Sequence, residues 1–192
     1  MGAPFVLIGL AAAVTVMAGA PEPRVEVYAG LPALPFTLLS TMLTVGLFEE
    51  VGWRGFALPR LQRTHSALWS AVVVGGIWAA WHLPELVSDP TGQRPPLPFV
   101  VAIVAQSVIL AWLYNSTRGS LPIVMIFHAA FNTYGQFLLP EFAGEHYLTT
   151  WWSMAGLYAI AAAAVTLYAG AERLTTHAQA RRPSPAQAPQ LL

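Results

Sequence analysis

Long apolar stretches, separated by short polar or proline-rich segments, dominate the pattern of hydrophobic positions along the chain. A helix needs about 20 mostly apolar residues to cross a bilayer. Six stretches approach that length, at residues 2–20, 31–58, 66–87, 97–115, 120–139 and 149–171. The pattern predicts an all-α fold, a polytopic membrane helix bundle of about six transmembrane helices.

The segments between these stretches carry the proline and glycine residues that typically interrupt helices and form loops. Residues 1–171 are therefore interpreted as a single integral-membrane domain. Residues 172–192 are rich in Ala, Gln and Pro and contain Arg181 and Arg182. Such a segment cannot bury enough apolar surface to order itself, and we expect a disordered cytoplasmic tail.

Composition agrees with a membrane location. The chain is 56% hydrophobic and only 9% charged, whereas a soluble domain carries about 25% charged residues. Nine arginines and no lysine balance nine acidic residues, so no basic surface is available to attract nucleic acid. We expect a multi-pass protein of the cell membrane, with the lipid bilayer but no nucleic acid among its partners.

Three ionisable residues interrupt the second apolar stretch: Glu49, Glu50 and Arg54. Each would cost roughly 2.5–3.5 kcal/mol at the centre of an inserted helix. Glu50 and Arg54 are spaced i, i+4 and can neutralise one another, which leaves Glu49 unpaired. Because adjacent helical residues point about 100° apart, the two glutamates need not share a role. Three nearby glycines would let another backbone approach closely: Gly46, Gly52 and Gly55.

Two other apolar stretches also contain polar residues. The third ends in a segment with Trp78 and His82, and the fifth carries His128 and Asn132 one helical turn apart. A histidine beside tryptophans is also typical of an interfacial aromatic belt, and His128 with Asn132 could form a polar clasp between helices. Neither interpretation accounts for Glu49. We expect Glu49, His82, His128 and Asn132 to converge inside the bundle.

These residues resemble the CPBP family of intramembrane endopeptidases, the CAAX-processing and bacteriocin-processing proteases also called the Abi family. Trp78 stands where the second family motif more usually has Phe. The matching region runs from about residue 36 to residue 137. The three motifs occur in order: Glu49, Glu50 and Arg54 for Glu-Glu-x-x-x-Arg, Trp78 and His82 for aromatic-x-x-x-His, and His128 and Asn132 for His-x-x-x-Asn.

Peptide-bond hydrolysis needs a nucleophile, a group that takes its proton and donors for the oxyanion. The chain has no cysteine, and Ser40 is nine residues away from Glu49, so water is the better nucleophile. Glu49 is the expected base, with His82 helping to hold or deprotonate the water, as the resemblance also implies. We expect His128 and Asn132 to donate hydrogen bonds to the oxyanion. Glu50 and Arg54 are expected to form a supporting ion pair.

The same side chains also allow a metal hypothesis, since two imidazoles and a carboxylate can hold zinc with a water in the open position. The zinc ligands would be Glu49, His82 and His128. The resemblance implies a metal-independent mechanism, so no cofactor is expected and zinc stays the alternative.

Two other functions remain open for this sequence. Glutamate and histidine inside helices could form a relay in a proton- or solute-conducting membrane protein, and the protein could be a catalytically silent immunity or interaction protein. For a protease, the partner is a peptide or protein substrate. A prenylated protein tail and a leader peptide both fit this expectation.

The first testable prediction concerns orientation. If the six helices alternate, six arginines lie on one side of the membrane and two on the other, and short cytoplasmic loops collect arginine. Both termini should therefore be cytoplasmic. A reporter fused after Pro140 should give an external signal and one fused after Arg182 a cytoplasmic signal. The reverse signal from either fusion would contradict the assignment.

Overall fold

The structure, a computed structural model, describes residues 2–24, 30–88, 95–142 and 144–176, and within these ranges the chain forms helices and no strand. The predicted all-α bundle is confirmed, since each of the six apolar stretches contains a helix. The helices are α1 (Ala3–Met17), α2 (Leu34–Leu61), α3 (Ala67–Trp81), α4 (Leu83–Ser88), α5 (Pro96–Ser116), α6 (Leu121–Leu138) and α7 (Tyr147–Ala169).

Four segments are long and apolar enough to cross a membrane: Leu34–Leu61, Ala67–Ser88, Pro96–Ser116 and Gly144–Ala169. Helix α1 has 15 residues, fewer than the length of a typical span. Helix α6 is not among these four segments, and it carries the polar residues His128, Asn132 and Gln136. The multi-pass prediction is confirmed, whereas six crossings and the orientation remain predictions.

Helix α5 lies at the centre of the bundle, between α3 and α7. Helix α1 packs against α7 and α6, and α6 packs in turn against α2. At the α3–α5 interface, a Cβ built on Gly75 would lie 2.8 Å from Cβ of Ser107 and 3.0 Å from Cα of Val104. Ser107 donates a hydrogen bond of 2.8 Å to the carbonyl of Ala71 across the same interface. The two backbones approach so closely because position 75 lacks a side chain.

The third predicted stretch, residues 66–87, is divided at His82 into α3 and α4. Pro84 has no backbone N–H, so the regular helical hydrogen bond to residue 80 cannot form. The His82 N–H bonds to the carbonyl of Ala79 at 3.1 Å, which tightens the last turn of α3. His82 therefore lies at the end of a helix.

Helix α2 contains two π-helical turns, Met42–Gly46 and Trp53–Ala57. These turns flank the segment that carries Glu49 and Glu50. Wider turns of this kind are rare and occur often at functional sites. The hydrophobic pattern of the sequence did not predict these turns.

The predicted close approach of another backbone to α2 holds at one glycine. A Cβ on Gly46 would lie 3.2 Å from the backbone oxygen of Met125 on α6. At Gly55 the neighbour is the side chain of Leu121, also at 3.2 Å, and nothing lies within 4 Å of a Cβ on Gly52. The prediction was wrong for Gly52, which faces open space.

An ion pair joins the two connections at one end of the bundle. Arg24 donates from Nη2 to Oε1 of Glu141 at 2.9 Å and from Nε to Oε2 at 3.0 Å. Its backbone N–H adds a third bond to the same carboxylate at 3.1 Å. These hydrogen bonds hold the pKa of Glu141 below its usual value.

Residues 172–176 pack against the other end. The Ala67 N–H donates to the carbonyl of Glu172 at 3.0 Å, Asn115 Nδ2 donates to the carbonyl of Arg173 at 2.9 Å, and Leu174 is buried. The rest of the predicted tail, residues 177–192, lies outside the described residues, as does Arg94. The domain boundary and the disordered tail remain predictions.

The second prediction tests the close contact between α3 and α5. Gly75→Ala should lower the thermal unfolding midpoint in detergent, because forcing a methyl group into a packed interface costs about 1–3 kcal/mol. Gly76→Ala is the matched control, since nothing lies within 4 Å of a Cβ there. A midpoint for Gly75→Ala equal to or above that of Gly76→Ala would contradict the interpretation.

Candidate active site

The three motif-bearing helices α2, α3 and α6 meet around the buried side chain of Trp78, which is 1% exposed. Its indole Nε1 donates a hydrogen bond of 2.6 Å to Oε2 of Glu49. Its ring lies edge-on to that of His128, with ring centroids 5.1 Å apart. The centroid of the His82 ring is 6.1 Å from that of Trp78. Three of the four predicted catalytic side chains therefore surround one tryptophan.

Glu49 is half-buried, and only one of its carboxylate oxygens accepts a hydrogen bond from a described residue. Oε2 accepts the indole hydrogen bond, while Oε1 has no hydrogen-bond partner among the described residues. A carboxylate held by one oxygen can accept a proton on the other. Glu49 thus has the geometry expected of a base.

Glu50 and Arg54 form the predicted i, i+4 ion pair, in the interior of the bundle. Arg54 Nη1 lies 2.9 Å from Glu50 Oε1, and both side chains are 0% exposed. The guanidinium also lies 4.7 Å above the centroid of the Trp78 ring. The ion pair itself is as expected, and its supporting role stays a prediction.

His128 lies 2.7 Å, at Nδ1, from the same Glu50 oxygen. An ionised carboxylate has no proton to donate and acts only as an acceptor. Nδ1 is then the donor, and Nε2 is the ring atom left for other partners. In a neutral ring, Nε2 is an acceptor. The expected role of His128 as an oxyanion donor therefore requires that its ring carry both protons.

His82 is held in a similar way. Its Nδ1 lies 2.8 Å from the carbonyl oxygen of Trp78, and because a carbonyl only accepts, Nδ1 donates. Nε2 of the neutral ring is then an acceptor, which suits a residue that holds or deprotonates water. Phe99 on α5 packs edge-on to this ring, with centroids 5.3 Å apart.

Asn132, the fourth predicted catalytic residue, lies on α6 one turn beyond His128 and is half-buried. Its side chain forms no hydrogen bond with any residue that the structure describes. The helical spacing places it on the same face as His128, but no hydrogen bond among the described residues joins it to Glu49, Trp78 or either histidine.

The zinc alternative required Glu49, His82 and His128 to act together as ligands. In the parts of the chain that are described, no three histidine or carboxylate side chains are grouped closely enough to hold a metal ion. The nearest carboxylate oxygen to His128 belongs to Glu50, and both histidines use Nδ1 within the protein. Metal dependence stays a question for the cleavage assay.

Two features of the site have no direct signal in the sequence. The motif identified Trp78 as an aromatic position, but the bond from its N–H to Glu49 depends on how α3 packs against α2. The bond between His128 and Glu50 joins residues 78 positions apart and likewise depends on tertiary packing.

Comparisons with known proteins agree with the motifs. A family model described as type II CAAX prenyl endopeptidase Rce1-like matches residues 31–134, which include all three motifs. CAAX prenyl protease 2 of Methanococcus maripaludis is 29% identical over 139 residues, covering 68% of this chain and 49% of the relative. The chain thus spans about half the length of this curated relative. No solved structure matches the chain.

The third prediction concerns the buried ion pair. Glu50→Gln leaves the charge of Arg54 buried without a partner and should destabilise the fold by about 3–5 kcal/mol. Adding Arg54→Met removes that charge and should restore part of the folded yield. Folded yield and unfolding midpoint in detergent measure both effects.

The matched control for this pair is Glu145→Gln, because the side chain of Glu145 is 87% exposed. It should leave both quantities unchanged. A double variant no more stable than Glu50→Gln alone would contradict the assignment of Arg54 as the uncompensated charge.

Proposed function

The chain belongs to the Rce1-like family of type II CAAX prenyl endopeptidases, and we propose that it hydrolyses a peptide bond within the membrane with a glutamate-activated water. The family assignment confirms the resemblance drawn from the three motifs. The observation that supports the proposal most directly is the state of Glu49, whose Oε2 is held by Trp78 while Oε1 has no partner among the described residues.

Water is the nucleophile in this proposal. Its oxygen attacks the carbonyl carbon of the scissile bond while Glu49 Oε1 takes one of its protons. His82 accepts a hydrogen bond from the same water at Nε2, which the bond from Nδ1 to the Trp78 carbonyl leaves unprotonated. The C–N bond then breaks, and the proton held by Glu49 passes to the leaving amine.

The tetrahedral intermediate needs donors for its oxyanion. Asn132 can donate from its amide at any pH, whereas His128 donates from Nε2 only when it is an imidazolium. The fully buried Glu50 carboxylate bonds His128 at Nδ1 and so orients the ring with Nε2 left for other partners. Glu50 therefore supports catalysis through His128, and Glu49 acts on the water.

We propose a C-terminal CAAX tail with a prenylated cysteine as the substrate class. The matched relative is named as a CAAX prenyl protease, and Glu49 and His82 lie in segments long and apolar enough to cross a membrane. A prenyl group partitions into the bilayer with an affinity set by its buried methylene groups, so it delivers the attached peptide to the depth of such a site. A leader peptide is the other substrate to be tested.

The assay uses the full chain purified in detergent and a library of quenched fluorescent peptides, with and without a farnesyl group on the cysteine. Cleavage that requires the farnesyl group supports the substrate class, and cleavage of leader peptides alone contradicts it. Each reaction is run with and without a chelator. Glutamate-dependent hydrolysis should continue in chelator, and its loss with recovery on adding zinc would favour the metal mechanism.

The fourth prediction separates the two adjacent glutamates. Glu49→Gln keeps the side-chain shape and removes the proton acceptor, so cleavage should fall by about 10²-fold to 10⁴-fold with folding unchanged. Glu50→Gln should reduce folded yield more than it reduces the rate per folded molecule. Near-normal turnover in Glu49→Gln beside a well-folded, inactive Glu50→Gln would show that the roles are exchanged.

A further inference from the structure

Trp78 contacts four of the five ionisable side chains of the candidate site. The indole N–H bonds to Glu49, and the ring lies beneath the guanidinium of Arg54 and beside both histidine rings. The backbone carbonyl of the same residue accepts a hydrogen bond from His82. A side chain that only filled space would not make the hydrogen bond to Glu49, whereas the backbone carbonyl is present whatever residue stands at position 78.

The hydrogen bond from the indole determines which oxygen of Glu49 faces the reaction. An indole has a single N–H and donates one hydrogen bond. The Trp78 bond of 2.6 Å occupies Oε2 and restrains the three side-chain torsions of the glutamate. Burial of the tryptophan holds the donor itself in place, so Oε1 is presented in one orientation.

We propose that Trp78 is a positioning residue of the active site, whose indole N–H aims the carboxylate of Glu49 at the catalytic water. This inference rests on the proposed function, because it assigns Glu49 as the base. A phenylalanine at this position would preserve an aromatic ring beside Arg54 and the histidines but would leave Glu49 Oε2 without its donor.

The test must separate the N–H from the ring, because the ring is buried and its loss would disturb packing. Two replacements at position 78 serve this purpose: Trp78→Phe, and the isosteric amino acid 3-benzothienylalanine, in which sulfur replaces the N–H. The matched control is Trp81→Phe, on the same helix, where the tryptophan is 68% exposed. Glu49→Gln is run in parallel.

Steady-state cleavage of a farnesylated quenched peptide by the full chain in detergent gives kcat and KM for each form. Both replacements at position 78 should lower kcat by about 10-fold to 100-fold, the effect of one hydrogen bond to a charged group. KM should be unchanged, because the interaction acts on the reacting water and not on substrate binding. Trp81→Phe should match the wild type.

Wild-type kcat in the benzothienylalanine form, with Glu49→Gln inactive, would overturn the positioning role and leave the proposed function standing. An equal loss of kcat in Trp81→Phe would also overturn it, because the effect would not be specific to the N–H. An active Glu49→Gln would instead overturn the proposed function, and the role of Trp78 with it. If Trp78→Phe does not fold, the isosteric form still decides the question.

Discussion

The buried ion pair between Glu50 and Arg54 is the interaction on which the site depends. Both side chains are fully buried, and neither charge is tolerable alone in a membrane helix bundle. The pair extends beyond α2 because Glu50 also bonds His128 on α6 and the Arg54 guanidinium lies over the ring of Trp78 on α3. The charge that α2 must neutralise thus fixes two other helices in position.

Neutralising Arg54 also leaves Glu49 available for chemistry. Oε1 of Glu50 receives bonds from both Arg54 and His128, so this oxygen is engaged within the protein. Glu49, about 100° further around the helix, receives one hydrogen bond and remains half-buried. Two identical side chains adjacent in sequence therefore have different environments: each has one carboxylate oxygen without a hydrogen-bond partner among the described residues, but Glu50 is fully buried and Glu49 only half-buried.

Much of the fold and of the site follows from insertion costs that can be read in the sequence. Helix positions follow the apolar stretches, and Glu49, His82 and His128 stand out because polar groups there are expensive in a membrane. The Glu50–Arg54 pair follows from local spacing. Spacing along one helix does not show which residues meet between helices. Three features depend on how α2, α3 and α6 pack: the bond from Trp78 to Glu49, the bond from His128 to Glu50 and the open space at Gly52.

The end of α3 shows how a local backbone constraint can prepare a histidine for catalysis. In a regular helix the Trp78 carbonyl would accept the backbone N–H of His82. Near Pro84, where the helix cannot continue, that N–H turns to the carbonyl of Ala79, and the Trp78 carbonyl accepts the imidazole Nδ1 instead. The proline thereby selects the tautomer in which Nε2 of His82 is the acceptor, four residues after the tryptophan that holds Glu49. One turn of α3 places both partners of the proposed catalytic water.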